Sequence, residues 1–257
     1  MNADLRTIEH ELRIAVATAG AILYHLGLAD YMGHASARVP GTERIIIKPR
    51  HSNSVHGMGT VAPERLIVID FDGKLLEGND GPPAERYIHT EIYRARPDVG
   101  GVIHTHQMMS TAFGVVGRPI LPLLSVEAPL VAAPIPIYPD PDLVNTAERG
   151  HGLAVALGQH EVVHIQNHGV VFASPTVEEA TLASIHLERL AMMNYFAAQL
   201  GTPHPIDQSK IDEMLRGNRV GYQVRWGYYK SLLETGALSA RDVVGAPPMF
   251  QHMNMAK

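Results

Sequence analysis

The sequence predicts one α/β domain with a central, mainly antiparallel β-sheet between helices. Long segments with apolar residues at helical spacing alternate with short apolar runs of strand length. Asp72-Gly73 follows one of these strands and is a strong hairpin signal. There is no internal repeat and no linker-like change of composition, so residues 1–257 are assigned to a single domain whose helical tail covers about 206–257.

The elements are expected in the following order. Apolar residues recur every three or four positions over 5–26, where Asp4 is placed to cap a long helix and Gly27 to end it. Strands are predicted at 35–39, 44–48, 66–70, 101–106 and 161–166, and 170–173 is interpreted as an extension of the last one. Further helices are predicted at 84–95, 143–157, 176–200, 206–216 and 222–233.

Composition limits the classes of function. Only 18% of the residues are charged, below the ~25% typical of soluble domains, which favours burial of surface in subunit interfaces. The absence of cysteine excludes disulfides, thiolate metal ligands and a cysteine nucleophile. A net charge of −5 provides no basic field for nucleic acid or an anionic membrane. We expect a cytoplasmic protein, because the start of the chain lacks the pattern of a targeting signal.

Two of the 15 histidines give the strongest local signal for chemistry. His104 and His106 stand two residues apart at the C-terminal end of an apolar strand. Residues at this spacing point to the same face of a sheet, so both imidazoles can bind one cation. Taken alone, the pattern is equally compatible with two histidines at a sheet edge that bind no metal.

A third histidine and a carboxylate favour the metal site. His168 follows a second apolar strand and precedes Gly169, a residue that allows close approach of another backbone. His164 lies inside that apolar run and is interpreted as a packed core residue. Glu85 starts a helix, where the helix dipole favours a carboxylate, and by itself it indicates no more than an ordinary N-terminal helix acid. Three imidazoles and one carboxylate together predict a divalent metal site that polarises substrate oxygens.

Five motifs resemble the class II aldolase/adducin family, in the same order and over about residues 12–200. They are Gly33-His34-Ala35-Ser36-Ala37-Arg38, Glu85 with His89 four residues later, Arg96-Pro97-Asp98, His104-Thr105-His106 and Asn167-His168-Gly169. The resemblance implies a three-layer α/β/α subunit with one divalent ion (Zn, Mn, Co or Fe) and no organic cofactor. It also implies a homotetramer or higher homo-oligomer, with active sites at subunit interfaces.

The same resemblance assigns roles to individual residues. His104, His106 and His168 match the metal-binding histidines of the family. Glu85 matches the acid that can ligate the metal and then act in proton transfer. His89 matches a recurrent helix histidine, which we interpret as a packing or supporting residue rather than a ligand.

The departures from the family pattern concern the substrate. Sugar-phosphate aldolases of the family hold phosphate with Gly-Asn, Thr-Gly and Ser-Ser in three places. This chain has Gly33-His34, Lys48-Pro49-Arg50-His51 and Pro83-Ala84 there, so the small donors that cradle a phosphate are missing. A guanidinium is well shaped to hold a carboxylate. His34, Arg50 and His51 are therefore predicted to bind substrate carboxylates.

This pattern is similar to the decarboxylase branch of the family. It predicts a metal-dependent, non-oxidative carboxy-lyase for a hydroxylated aromatic (di)carboxylic acid such as a dihydroxyphthalate, as in aromatic compound degradation. The first alternative is a class II aldolase, an aldehyde-lyase, for an unphosphorylated hydroxy-keto acid. The second is a non-catalytic interaction module like the adducin head. The expected partners are a small aromatic carboxylate and further copies of the chain, with no nucleic acid and no membrane.

Overall fold

An eight-stranded sheet forms the centre of the computed structural model, which describes residues 3–52, 55–216, 221–240 and 242. The strands are β1 (His34–Arg38), β2 (Ile45–Ile47), β3 (Ile67–Ile69), β4 (Leu75–Glu77), β5 (Gly101–Thr105), β6 (Ile137–Tyr138), β7 (Val162–Ile165) and β8 (Gly169–Ser174). Their order across the sheet is β4-β3-β2-β1-β5-β8-β7-β6. Every neighbouring pair is antiparallel except β6 and β7, which confirms the predicted mainly antiparallel sheet.

Seven α-helices surround the sheet in the described part of the chain. They are α1 (Ala3–His25), α2 (Arg86–Ala95), α3 (Met108–Val116), α4 (Ala147–Leu157), α5 (Val177–Leu200), α6 (Gln208–Arg216) and α7 (Tyr222–Glu234). Short 3₁₀ turns lie at Met58–Thr60, Pro63–Arg65 and Ala128–Val131. Thr146 and Thr176 cap α4 and α5, because each hydroxyl accepts the N–H three residues later.

The sheet has a hydrophobic core on each face. Strand side chains alternate between the two faces, so neighbouring residues of β5 enter different layers. Ile103 packs in the layer that α1 and α5 cover, whereas Val102 packs in the layer that α2 and α4 cover. The chain therefore has the three-layer α/β/α arrangement that the family resemblance implies.

The centre of the sheet brings the predicted site residues to one edge. In the register of β1 with β5, His34 lies directly opposite His104. On the other side of β5, Thr105 pairs with Val170 near the start of β8. The end of β5 and the turn that precedes β8 are therefore neighbours, although they are more than sixty residues apart in sequence.

Strands β4 and β6 are not among the predicted strands, and the structure differs from the predicted elements in three further places. The sequence pattern does not predict α3, because Met108–Val116 has no clear polar face and contains Gly114 and two valines, which are poor helix formers. Residues 170–173 do not extend the preceding strand, because the chain turns at Asn167 (φ 57°) and returns antiparallel as β8. Helix α4 begins four residues later than expected, after its cap at Thr146.

The two helices predicted in the tail are present as α6 and α7, with ends no more than two residues from the expected ones. Residues 217–220, 241 and 243–257 of the predicted tail lie outside the described residues. Among the helices that are described, none has both the length and the apolar character needed to cross a bilayer.

Candidate metal centre and substrate cleft

His104 is fully buried near the end of β5. Its Nδ1 lies 3.1 Å from the backbone carbonyl oxygen of Val170 on β8. A carbonyl oxygen only accepts hydrogen bonds, so Nδ1 carries the proton and Nε2 keeps its lone pair. Nε2 is buried and has no hydrogen-bond partner among the described residues, which leaves it available to a ligand.

His106 and His168 approach this nitrogen from two chain segments. The Nε2 atom of His106 is also buried without a hydrogen-bond partner in the described part of the chain. His168 lies in the turn between β7 and β8, next to Gly169. A Cβ atom at Gly169 would lie 2.6 Å from the carbonyl oxygen of Thr105 and 2.8 Å from Cδ2 of His106. Glycine is therefore needed for the turn to reach the end of β5.

The three histidines form a compact cluster. Their candidate ligand nitrogens all lie within 4.8 Å of one another. Burial lowers the pKa of His104 and of His106, and neighbouring imidazoles lower both further. Both rings are therefore neutral near pH 7, the state in which imidazole binds a metal. The buried free nitrogens and the all-nitrogen donor set fit a divalent transition-metal cation.

Glu85 completes the cluster as the N-cap residue of α2. Its Oε1 accepts the backbone N–H of Val144 at 3.1 Å and lies 3.7 Å from Nε2 of His168. Its Oε2 lies 3.8 Å from Nε2 of His104 and 3.9 Å from Nε2 of His34. Burial raises the pKa of Glu85, although His168 and the bond from Val144 oppose the shift. The carboxyl group is thus placed to bind a cation or to transfer a proton. We call His104, His106, His168 and Glu85 the histidine centre.

A buried network of side-chain hydrogen bonds holds His34 on the side of its ring away from Glu85. Nδ1 of His34 lies 3.0 Å from Nε2 of His89, and the Oγ of Ser36 lies 2.7 Å from Nδ1 of His89. The Tyr93 hydroxyl lies 2.8 Å from the same Oγ and donates to the Ser36 carbonyl at 3.0 Å. Burial lowers the pKa of His89 to about 3, so its ring is neutral. His89 therefore lies behind His34 and outside the three-histidine cluster.

An open cleft of about 650 Å³ reaches the histidine centre. His34, Glu85, His106 and His168 line its inner end. The predicted carboxylate-binding residues Arg50 and His51 also line it, and the ring of His51 packs edge-on against Tyr31 with centroids 5.6 Å apart. The structure thus places all the sequence-predicted site residues in or beside one cleft.

Lys48 also lines this cleft, and the sequence analysis assigns it no role. It directly follows the three isoleucines of β2 and is only 5% exposed. Burial lowers its pKa to about 8. The available sequence signal is a lysine that ends a fully apolar strand, where a solvated side chain is unexpected. We call Lys48, Arg50 and His51 the basic wall.

The chain is similar in sequence to proteins with two different activities, decarboxylases and aldolases. The chain is 31% identical over 199 residues to the 3,4-dihydroxyphthalate decarboxylase of Arthrobacter keyseri, an alignment that covers 74% of this chain and 79% of that protein. It is 33% identical over 138 residues to an L-fuculose phosphate aldolase of Methanococcus vannielii, over 54% of this chain and 73% of that one.

A solved structure shows the same fold. The crystal structure of an aldolase II superfamily protein from Pseudomonas syringae superposes with a TM-score of 0.78 at 23% identity, covering 91% of this chain and 96% of that chain. Residues 14–195 match the class II aldolase and adducin N-terminal domain. As its five sequence motifs predict, the chain belongs to the class II aldolase and adducin family.

Proposed function

We propose that this chain is a metal-dependent, non-oxidative decarboxylase of a hydroxylated aromatic carboxylic acid of the dihydroxyphthalate type. The observation that carries the proposal is the histidine centre, with its buried free nitrogens, at the inner end of a cleft that has a basic wall. Relatives named as 3,4-dihydroxyphthalate decarboxylases support the choice of substrate. The relatives named as decarboxylases and those named as aldolases are both lyases, so the general class of reaction has the broader support.

The metal site would be formed by His104, His106 and His168, with Glu85 as a fourth, exchangeable ligand. A divalent cation held there supplies Lewis acidity, which withdraws electron density from a substrate hydroxyl oxygen. The protein keeps the rings of His104 and His106 neutral by burial and orients His104 through the Val170 carbonyl.

Side chains of the protein bind the substrate and donate a proton to its ring. His34, Arg50 and His51 hold the carboxylates, with Arg50 able to form two parallel hydrogen bonds to one of them. Glu85 delivers a proton to the ring carbon that carries the departing carboxylate, and its burial favours the protonated form. The carbon–carbon bond then breaks, CO₂ leaves and the bonding electrons restore the aromatic ring. In balance, the carboxylate and one proton give the decarboxylated ring and CO₂.

An aldolase for an unphosphorylated hydroxy-keto acid is the second candidate, because an L-fuculose phosphate aldolase is among the relatives. The residues at the mouth of the cleft argue against a phosphorylated substrate. Pro83 and Ala84 precede Glu85, and Lys48 and Arg50 lie at a second of the three phosphate-binding positions. These side chains include no small hydroxyl donor of the kind that cradles a phosphate.

The test begins with metal loading. Purified protein is reconstituted with Zn, Mn, Co or Fe, and bound metal is measured; we expect about one ion per subunit. The loaded protein is then incubated with 3,4-dihydroxyphthalate while CO₂ is monitored, and in parallel with 2-keto-3-deoxy acids while pyruvate and aldehyde are monitored. CO₂ release that chelation abolishes would support the proposal. Pyruvate release without CO₂ would favour the aldolase, and absence of both metal and turnover would favour an interaction module.

We also propose that the chain forms a homotetramer or higher homo-oligomer. Helix α3 begins two residues after His106 and exposes Met108 (79%) and Val116 (70%). Exposed apolar groups next to a functional cleft are typical of a protein interface. We expect light scattering to give a mass of at least four subunits, and a monomeric mass at micromolar concentration would contradict this expectation.

A further inference from the structure

Lys48 occupies an unusual position for a lysine. It follows β2 directly, and its backbone N–H donates to the carbonyl of Ala35 on β1 at 3.3 Å. The next residue is Pro49, so the backbone at this point is held by both strand pairing and a fixed φ. Its side chain lines the cleft but is almost fully buried. Lysine is rarely buried to this degree unless it is paired with an anion.

No residue described in the structure supplies that anion. The Lys48 ammonium makes no hydrogen bond or salt bridge to any described residue. The charge of Asp30 raises the pKa of Lys48 from a distance, without a hydrogen bond between the two side chains. The carboxylate of Asp30 accepts the backbone N–H of Met32 at 2.7 Å. Glu85 accepts the N–H of Val144, and Asp142 pairs with Arg149 at 2.5 Å. None of these three carboxylates forms a salt bridge with Lys48, which leaves the ammonium available to an incoming anion.

The chemistry of decarboxylation decides which anion it is. A carboxylate that leaves as CO₂ loses its negative charge to the ring. A buried ammonium paired with that carboxylate would stabilise the starting state more than the transition state, and would slow the reaction. An ammonium paired with a carboxylate that remains on the ring has no such effect, because the charge there does not change. Lys48 is therefore suited to the retained group.

We propose that Lys48 binds the carboxylate that the substrate retains, which makes the site selective for aromatic dicarboxylates. This inference rests on the proposed function. The product keeps the group that Lys48 binds, so the product is also expected to bind at Lys48.

The first test measures binding, without turnover. Metal-loaded wild type, Lys48→Met and Lys48→Arg are titrated calorimetrically with 3,4-dihydroxybenzoate and with catechol, which differ only in the retained carboxylate. We expect Lys48→Met to bind 3,4-dihydroxybenzoate about ten- to a hundredfold more weakly, the loss typical of one charge-assisted hydrogen bond, with a much smaller change for catechol. Lys48→Arg should preserve most of the preference. The proposal is overturned if Lys48→Met binds 3,4-dihydroxybenzoate as tightly as wild type.

The second test separates binding from chemistry. With 3,4-dihydroxyphthalate, Lys48→Met should raise KM by about ten- to a hundredfold and change kcat by less than about threefold. The preference for this substrate over 2,3-dihydroxybenzoate, which lacks the retained carboxylate, should fall at least about tenfold. Lys74→Met, at an exposed lysine in the turn between β3 and β4, serves as the matched control. Equal losses of kcat for both substrates would contradict the proposal and assign Lys48 to the chemical step.

A stability measurement and a comparison of binding with turnover distinguish failure of this inference from failure of the proposed function. Because Lys48→Met removes a largely buried charge that has no partner among the described residues, we expect its metal-free Tm to be unchanged or higher, whereas a structural role would lower it. If no substrate releases CO₂ but Lys48→Met still selectively weakens binding of 3,4-dihydroxybenzoate, the anion site stands and the proposed function fails. If Lys48→Met releases CO₂ with the KM of wild type, the function stands and this inference fails.

Discussion

The histidine centre and the basic wall face the same cleft, but they are built in different ways. The ends of β5 and the turn before β8 place the histidines, and the hydrogen bond from His104 to Val170 orients one ring. The basic wall begins where β2 ends, and the backbone of Arg50 is held by its N–H bond to the Gly81 carbonyl at 2.8 Å. The paired strands of the sheet thus fix the positions of the histidines, whereas the segment after β2 fixes the positions of Arg50 and His51.

The largest expected effect follows removal of a proposed ligand histidine, which should affect the histidine centre and leave the basic wall intact. We expect His106→Ala to lose its bound metal and about 10³-fold in kcat/KM, more than the 10–100-fold typical when only a residue supporting a ligand is lost. Metal analysis and steady-state kinetics measure the two effects. His151→Ala, at an exposed position on α4, is the control and should behave as wild type. A His106→Ala variant that keeps its metal and its activity would contradict the proposed centre.

Glu85→Gln tests whether the centre also supplies the proton. Gln retains an oxygen that can accept the Val144 N–H, but it cannot transfer a proton. We therefore expect metal binding to be retained and kcat to fall about 10²- to 10⁴-fold, the range typical of a lost general acid. Loss of the metal in proportion to the loss of activity would instead show that Glu85 acts chiefly as a ligand.

Arg50→Gln changes the basic wall alone. Because Arg50 is exposed, we expect KM for 3,4-dihydroxyphthalate to rise by up to about fivefold, with little change in kcat and none in bound metal. Arg50→Lys should recover part of the loss, since it keeps the charge but not the bidentate geometry. A drop in metal content in either variant would contradict the expectation that the basic wall does not contribute to metal binding.

Acid should destabilise the protein through the buried histidines of the centre and of its support. Burial lowers the pKa of His34, His89 and His104, so these rings bind protons less readily when folded than when unfolded. The stability of the metal-free protein is then greatest above pH ~6.5 and falls as the pH drops toward 3, with up to ~1.4 kcal/mol lost per pH unit for each histidine. Denaturant unfolding at pH 7, 6 and 5 measures this slope.

A His89→Asn variant sharpens the same measurement. His89 has a folded pKa of about 3, so its removal should flatten the slope by the contribution of one proton, about 1.4 kcal/mol per pH unit. His10→Asn, at an exposed position on α1, should leave the slope unchanged. Equal slopes for wild type and His89→Asn would mean that this ring does not contribute to acid sensitivity.

The sequence predicts the centre better than the wall for a physical reason. The two-residue spacing of His104 and His106 is a direct expression of strand alternation, and the glycine after His168 marks the close approach that the structure contains. The burial of Lys48 depends on the loops that surround it, and no local pattern encodes that. Helix α3 is not predicted because its sequence has only a weak preference for helix. Packing against the sheet and α5 stabilises it.

The contact between the His104 ring and the Val170 carbonyl has a consequence for the choice of cation. A peptide group in the middle of a sheet holds the ring, so its orientation is set before any ion arrives. An ion entering such a preformed pocket does not have to organise the protein around itself. A ring fixed in this way would favour ions whose coordination geometry matches the direction of its lone pair, because geometry as well as ligand type sets the selectivity among transition metals.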